Sequence, residues 1–205
     1  MGLSANQLRA DLDTLAARDP RLAAALLHAG YPEPRIRERG YATLLRTIVG
    51  QQISFKAADA VWAKLAAAVG DIATPAAMLA RSEADLRAAG LSRQKIGYAF
   101  SLAGLCDTGT LDFDALPNDD EDAIALLTQA KGIGRWSAEI YLLFAEGRPD
   151  IWPAGDLAVQ ESVRRIVGLD VRPDEKVARA IAENWRPHRG AAAIFAWHHY
   201  MTPPI

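Results

Sequence analysis

The sequence predicts an all-α protein, and three observations carry that expectation. Apolar residues recur at helical spacing in nearly every segment; no run alternates with the period of two that marks a half-buried strand; and helix starts are flagged by cap residues and first-turn prolines.

Ser4 and Gln7 have the spacing of a capping box and open the first helix, while Asp19-Pro20 and Thr74-Pro75 each set a cap residue before a first-turn proline. Leu44, Leu45, Ile48 and Val49 make one apolar stripe, Val159, Val163, Ile166 and Val167 a second, and Val177, Ala180, Ile181 and Trp185 a third. Gly30, Gly70 and Gly90 stand where helices should stop. The acidic run Asp119-Asp120-Glu121-Asp122 suits the first turn of a helix, where negative charge meets the positive end of the peptide dipole. About ten to twelve short helices follow, with no long linker and no internal repeat.

Composition narrows the function classes. With 205 residues, half of them apolar, the chain has enough material for a real core in one large or two small domains. A single cysteine, Cys106, excludes a disulfide framework, a four-cysteine iron–sulfur cluster and a zinc ribbon, and points to a reducing, cytoplasmic setting. The start, from Met1 to Asn6, lacks the basic-then-apolar pattern of a signal peptide, and no run reaches the length of a membrane span. A formal charge of -2 argues against a protein that coats nucleic acid, so any DNA contact must be local.

One segment offers such a contact. Between Leu127 and Leu142 the glycine-bracketed turn Lys131-Gly132-Ile133-Gly134-Arg135 separates two helical runs. Glycine lets the chain reverse tightly and lets a phosphate approach the backbone, and the unpaired first amides of a helix starting near Arg135 favour an anion. Downstream, Trp152-Pro153-Ala154-Gly155-Asp156-Leu157 places an aspartate at the head of a helical run ending at Val167. On spacing alone Asp156 reads first as a plain helix N-cap.

With these motifs, the segment Ile48-Val49-Gly50-Gln51-Gln52-Ile53-Ser54, the segment Leu91-Ser92-Arg93-Gln94-Lys95-Ile96, and the stretches Trp185 to Arg189 and Ala196 to Tyr200, the sequence resembles the helix-hairpin-helix superfamily of DNA base-excision glycosylases. Within it, the chain is similar to the alkylation-repair group, 3-methyladenine DNA glycosylase II. The likeness runs from Tyr41 to Tyr200. It implies an all-α fold of two helical lobes with a DNA-binding cleft between them and the hairpin at its edge. Residues 40–147, hairpin included at 126–145, would form one lobe, and residues 1–39 with 148–205 the other. The residues before Tyr41 read as helical, so the N-terminal β-rich domain of some relatives is expected to be absent.

The resemblance also assigns roles. Asp156 matches the catalytic aspartate, whose fixed negative charge would stabilise the cation that builds on deoxyribose as the N-glycosidic bond breaks, and which could orient or deprotonate the attacking water. Where lyase members carry a nucleophilic lysine, this chain has Trp136, so no Schiff-base step is expected, and Lys131 precedes the turn and does not match that place. Trp136 and Trp197 match aromatic residues of the damaged-base pocket, where an indole face attracts a cationic alkylated purine; taken by themselves both tryptophans read first as core. Trp152 and Trp185 are read as core. Ile140 stands where some relatives have tyrosine.

Gln52 and Ile53 match the wedge that fills the hole left by a flipped base, often leucine in relatives; read alone, Gly50-Gln51-Gln52 is a polar break between helices capped by Ser54. Lys131, Arg135, Arg93, Lys95 and Arg189 are candidate phosphate partners, with Gly132 and Gly134 opening the hairpin backbone. Such hairpins often hold an alkali ion on backbone carbonyls, here those of Thr128, Ala130 and Ile133, so Na+ or K+ is the only cofactor anticipated and none is required. No side-chain metal site is visible: His198 and His199 are adjacent and diverge on a helix, and His28 and His188 lack ligand-spaced partners. The expected partner is duplex DNA containing damaged bases, bound by a monomer with no membrane contact. The rival reading is a non-catalytic helix-hairpin-helix module that only grips phosphates.

Overall fold

A computed structural model describes residues 2–203. Helices α1 (Ala5–Arg18), α2 (Pro20–Ala29), α3 (Tyr41–Gly50), α4 (Phe55–Val69), α5 (Pro75–Leu79), α6 (Glu83–Ala88), α7 (Arg93–Asp107), α8 (Asp120–Leu127) and α9 (Arg135–Tyr141) lead into a π-helical turn, Leu142–Glu146. After it come α10 (Leu157–Val167), α11 (Glu175–Ala182), a 3-10 turn (Glu183–Trp185) and α12 (Arg189–Met201). No strand occurs among the described residues. The fold is all-α, as the periodicity predicts.

Most helix ends follow from local chemistry. Asp19 caps α2 by accepting the Arg21 N–H, with Pro20 in the first turn, and Asp119 caps α8 by accepting from Glu121 and Asp122. Gly30, Gly70 and Gly90 all carry positive φ at or just past helix ends, as expected. Two expected caps are altered. Ser4 accepts the Gln7 N–H, but the Gln7 side chain reaches along the helix to Asp11 at 2.8 Å rather than back to Ser4, so only half of a capping box forms. Thr74 precedes α5 without capping it, because its hydroxyl donates to Asp71 at 2.6 Å. A complete capping box appears instead at Ser82 and Asp85, ahead of α6.

The chain divides into two compact units. One spans Glu38–Tyr141; the other runs from the N-terminus to Arg37 and resumes at Leu142. In the Glu38–Tyr141 unit, α3 presents Leu44, Leu45, Ile48 and Val49, all essentially inaccessible, and α7, which buries Ile96, Ala99, Leu102 and Ala103, packs against α3 and α5. Each such leucine or isoleucine contributes roughly 1.5–3 kcal/mol on burial. In the other unit, α1 buries Leu8, Leu12 and Leu15 on one face while α10 packs against α12. Gly190 admits the close approach of the segment that follows the π-helical turn to the start of α12, since a Cβ there would lie 2.7 Å from the Pro149 carbonyl oxygen.

The third expected stripe is displaced. α11 buries Ala178 and Ala182 and leaves Val177 45% exposed, because packing on small residues brings the helix in close and turns its bulkier positions outward. Trp185 is buried as expected, edge-on to Trp152 at 5.4 Å, and each indole N–H has a partner: the Asp19 carboxylate for Trp185 and the Ala178 carbonyl for Trp152. No helix among the described residues is long and apolar enough to cross a membrane.

Candidate active site

Asp156 stands at the N-cap of α10, and one of its carboxylate oxygens accepts the amides of Ala158 at 2.9 Å and Val159 at 3.0 Å. The cap and the chemistry expected of this residue use the same placement: a negative group at a helix start, half-exposed, with its direction set by two amides. The loop before it is held from several sides. Trp152 is anchored on α11, the buried Gln160 amide donates back to the Ala154 carbonyl at 2.8 Å, and the Asp156 N–H closes a turn on Pro153 at 3.0 Å. A carboxylate on so well-tethered a loop is positioned before any ligand arrives.

The two candidate pocket tryptophans differ. Trp136, in the first turn of α9, is 46% exposed. Trp197 on α12 is only 9% exposed, tilted against Phe144 at 5.6 Å, with the Arg35 guanidinium 5.6 Å from its ring centroid. Much of the indole surface expected to face a cationic base is therefore occupied by internal contacts. A cavity of about 520 Å³ lined by Arg21, His28, Arg165 and His199 contains none of the expected site residues.

The hairpin runs from α8 through residues 128–134 into α9. Gly132 has φ +84°, and a Cβ on it would lie 2.2 Å from the Tyr98 ring, so glycine is required there by an internal contact. Gly134 has ordinary φ and open space where its Cβ would sit, which makes it the hairpin glycine past which an outside group can approach. The Lys131 side chain is exposed while its N–H donates to the Ser101 hydroxyl at 3.1 Å. The Ala130 carbonyl accepts the Ile133 N–H at 3.0 Å. A carbonyl oxygen has a second lone pair, so that bond leaves Ala130 able to serve with Thr128 and Ile133 as an alkali-ion ligand. No cluster of three or more His, Cys, Asp or Glu side chains with metal-ligand geometry occurs among the described residues.

Two of the candidate arginines are already paired with carboxylates. Arg135 donates to both Glu121 oxygens, at 2.8 and 2.5 Å, and to the buried Glu139 at 3.0 Å; the hydrogen bonds to Glu121 chiefly hold its pKa above the ordinary value. Glu121 belongs to the acidic run read as mere helix-start decoration, and pairing with Arg135 is a task that the local pattern did not reveal. Arg189 corrects the expectation more fully. It is 7% exposed and its guanidinium is spent on Asp150 and Glu183, so it braces the start of α12 and is not offered to DNA. Arg93 is exposed at the head of α7. Lys95 is half-buried, its ammonium donating to the Val49 carbonyl at 2.7 Å; desolvation by burial lowers its pKa.

The wedge segment follows α3. Gln52 has φ +56° and is the non-glycine residue with positive φ among the described residues, a conformation that costs about 1–2 kcal/mol. Ile53 is 39% exposed and Phe55 93% exposed. Phe55 has no role assigned from the sequence. It opens α4, whose buried residues Leu65 and Val69 lie in its second half. Three features within four residues, a strained turn and two uncovered apolar side chains, thus sit together where the base-displacing wedge is expected.

Comparison with known proteins agrees with this geometry. The family model for the HhH-GPD superfamily base excision DNA repair protein matches residues 45–187. The chain is 32% identical over 165 residues to DNA-3-methyladenine glycosylase 1 of Schizosaccharomyces pombe, covering 78% of this chain and 72% of that one. It is 27% identical to a Bacillus subtilis relative and spans 58% of that protein's length. Among solved structures, a DNA-3-methyladenine glycosidase from Bacillus halodurans superposes with TM-score 0.84 at 30% identity, covering 94% of this chain and 89% of that one. The S. pombe 3-methyladenine DNA glycosylase in complex with abasic DNA gives 0.77 at 29%, covering 91% and 94%. A family match that takes in the wedge segment, the hairpin and Asp156 together, carried on an all-helical fold shared with these structures, means that the chain belongs to the HhH-GPD superfamily of base excision DNA repair proteins.

Proposed function

We propose that this protein is a monofunctional DNA glycosylase of base excision repair, which flips alkylated purines such as 3-methyladenine and 7-methylguanine from duplex DNA and hydrolyses the N-glycosidic bond, leaving an abasic site. The observation that carries this reading is Asp156: an aspartate that the resemblance matches to the family's catalytic residue, half-exposed, with its carboxylate held by two amides on a well-tethered loop. As the base departs with the bonding electron pair, positive charge grows on the sugar, and the Asp156 carboxylate stabilises it. Water then adds to C1′ and gives up its proton, with Asp156 as the acceptor. Trp136 has no amine, so no imine forms and the DNA backbone is left uncut.

An N-alkylated purine is cationic. Trp136, more exposed than Trp197, is the better placed of the two to stack on it. The exposed Lys131 and Arg93 contact phosphates, Gly134 opens the backbone to them, and Gln52 with Ile53 takes the space of the displaced base. An alkali ion on the Thr128, Ala130 and Ile133 carbonyls would add positive charge beside a phosphate; no other cofactor takes part. The protein acts as a monomer on duplex DNA in the cytoplasm.

The test is base release from a panel of duplexes, each with one lesion: 3-methyladenine, 7-methylguanine, hypoxanthine or ethenoadenine. The expected outcome is free base plus an alkali-labile site, with the cationic purines processed fastest. Tight binding of every duplex with no base released would favour the plain phosphate-gripping module instead.

A further inference from the structure

Helix α7 presents Lys95, Tyr98 and Ser101 three residues apart, and therefore along one face. Each touches one of two loops expected at the DNA. The Lys95 ammonium donates to the Val49 carbonyl at 2.7 Å, capping the end of α3 just where the wedge turn begins. The Tyr98 ring lies flat against the hairpin at Gly132, so close that a Cβ there would fall 2.2 Å from it, and its hydroxyl is held by Gln94. The Ser101 hydroxyl accepts the Lys131 N–H at 3.1 Å. The two loops are also tied directly: the Gln51 side-chain amide donates to the Gly132 carbonyl at 2.7 Å, and Gln51 immediately precedes Gln52, with its left-handed backbone.

We propose that Gln51, backed by the Lys95–Tyr98–Ser101 face of α7, is a positioning device that locks the base-displacing turn to the phosphate-gripping hairpin. Displacement needs this lock. The hairpin can hold a phosphate wherever the chain carries it, but pushing a base from the stack requires the turn to stay at a fixed reach from that phosphate while the duplex resists. If the two loops moved independently, binding energy gained at the hairpin would relax into loop motion and never reach the stacked base. A side-chain amide bonded to the backbone of the other loop transmits the load without touching DNA. Gln51 is half-buried, in keeping with a residue that acts through its neighbours. The inference rests on the glycosylase reading above.

The test compares wild type with Gln51→Met, which keeps length and removes the donor, and with Ser101→Ala, a milder cut on the hairpin side. Three quantities are read: affinity for undamaged duplex, fluorescence of 2-aminopurine placed beside a 7-methylguanine, and the single-turnover rate of base release. Losing one such hydrogen bond should lower the fluorescence rise and the rate by about three- to tenfold, while affinity for undamaged duplex stays within about twofold. Ser101→Ala should show the same split at smaller size, and thermal melting verifies that both variants fold. Wild-type extrusion and rate in Gln51→Met would overturn the proposal alone, as would a parallel loss of undamaged-duplex binding in both variants. Failure of the wild-type protein to release any base would instead remove the glycosylase reading, and this proposal with it.

Discussion

Arg135 and Glu121 face each other across the hairpin, two guanidinium nitrogens on two carboxylate oxygens at 2.8 and 2.5 Å, with Glu139 accepting a third bond from behind. The arginine nearest the hairpin turn therefore arrives at DNA with its charge already met by two carboxylates. Replacing Glu121 by glutamine removes one of these two negative charges and loosens the hold on two guanidinium nitrogens, making the site one unit more positive. Affinity for undamaged duplex should then rise about two- to fivefold at low salt, and the salt dependence of binding should steepen by about one ion. Unchanged affinity and slope in a salt titration would mean that Arg135 makes no phosphate contact.

Asp156→Asn keeps an N-cap acceptor of equal quality and removes only the charge. Melting temperature should change little, while base release falls by at least about a hundredfold. Near wild-type turnover on methylated DNA would sink the catalytic assignment of Asp156.

The two tryptophans should separate. Trp136→Leu keeps an apolar side chain and removes an exposed π face, so activity on 7-methylguanine should fall more than activity on hypoxanthine; a cation over an indole is worth roughly 0.5–2 kcal/mol. Trp197→Leu removes packing against Phe144 and Arg35, and its main effect should be a lower melting temperature. The cation account would be lost if Trp136→Leu reduced both substrates equally.

The hairpin glycines should also diverge. Gly132→Ala meets both a positive φ and the Tyr98 ring, and should cost more than about 1 kcal/mol of stability. Gly134→Ala meets open space and should fold normally, so any loss of DNA affinity in it reports directly on phosphate approach. Equal melting temperatures for the two variants would contradict the packing described at Gly132.

His199 is buried with its ring nitrogen 2.9 Å from the Ser162 hydroxyl, and burial first, then nearby Arg165, pushes its pKa below the ordinary 6.5. The unfolded chain then takes up a proton near 6.5 that the folded chain still refuses. This contribution to stability is full above about pH 6.5 and is lost as pH falls from there toward the depressed folded value. Melting temperatures measured across that interval should drop on the acid side, and the drop should shrink in His199→Phe. An identical pH profile in that variant would show that other groups set the acid limb.

What the sequence by itself determined is what depends on neighbours in the chain. Apolar spacing, prolines, cap residues and terminal glycines act within a turn or two, so the all-helical class, the start of α10 at Asp156 and the glycine-bracketed hairpin were all legible. Burial of Leu44, Leu45, Ile48 and Val49 was legible for the same reason. What only the tertiary structure decided is where each side chain's partner comes from. Ser4 and Gln7 fit a capping box, yet Gln7 prefers the buried Asp11; Val177 fits an apolar stripe, yet α11 turns it outward. Arg189 looks like a free cation until Asp150, distant in sequence, meets it. Gly132 looks like an opening for phosphate until Tyr98 fills the space beside it. Helix formation is a local competition over backbone hydrogen bonds, readable from a short window. The exposure of a charge or a ring depends on which distant segments the core brings alongside it, and no local pattern records that.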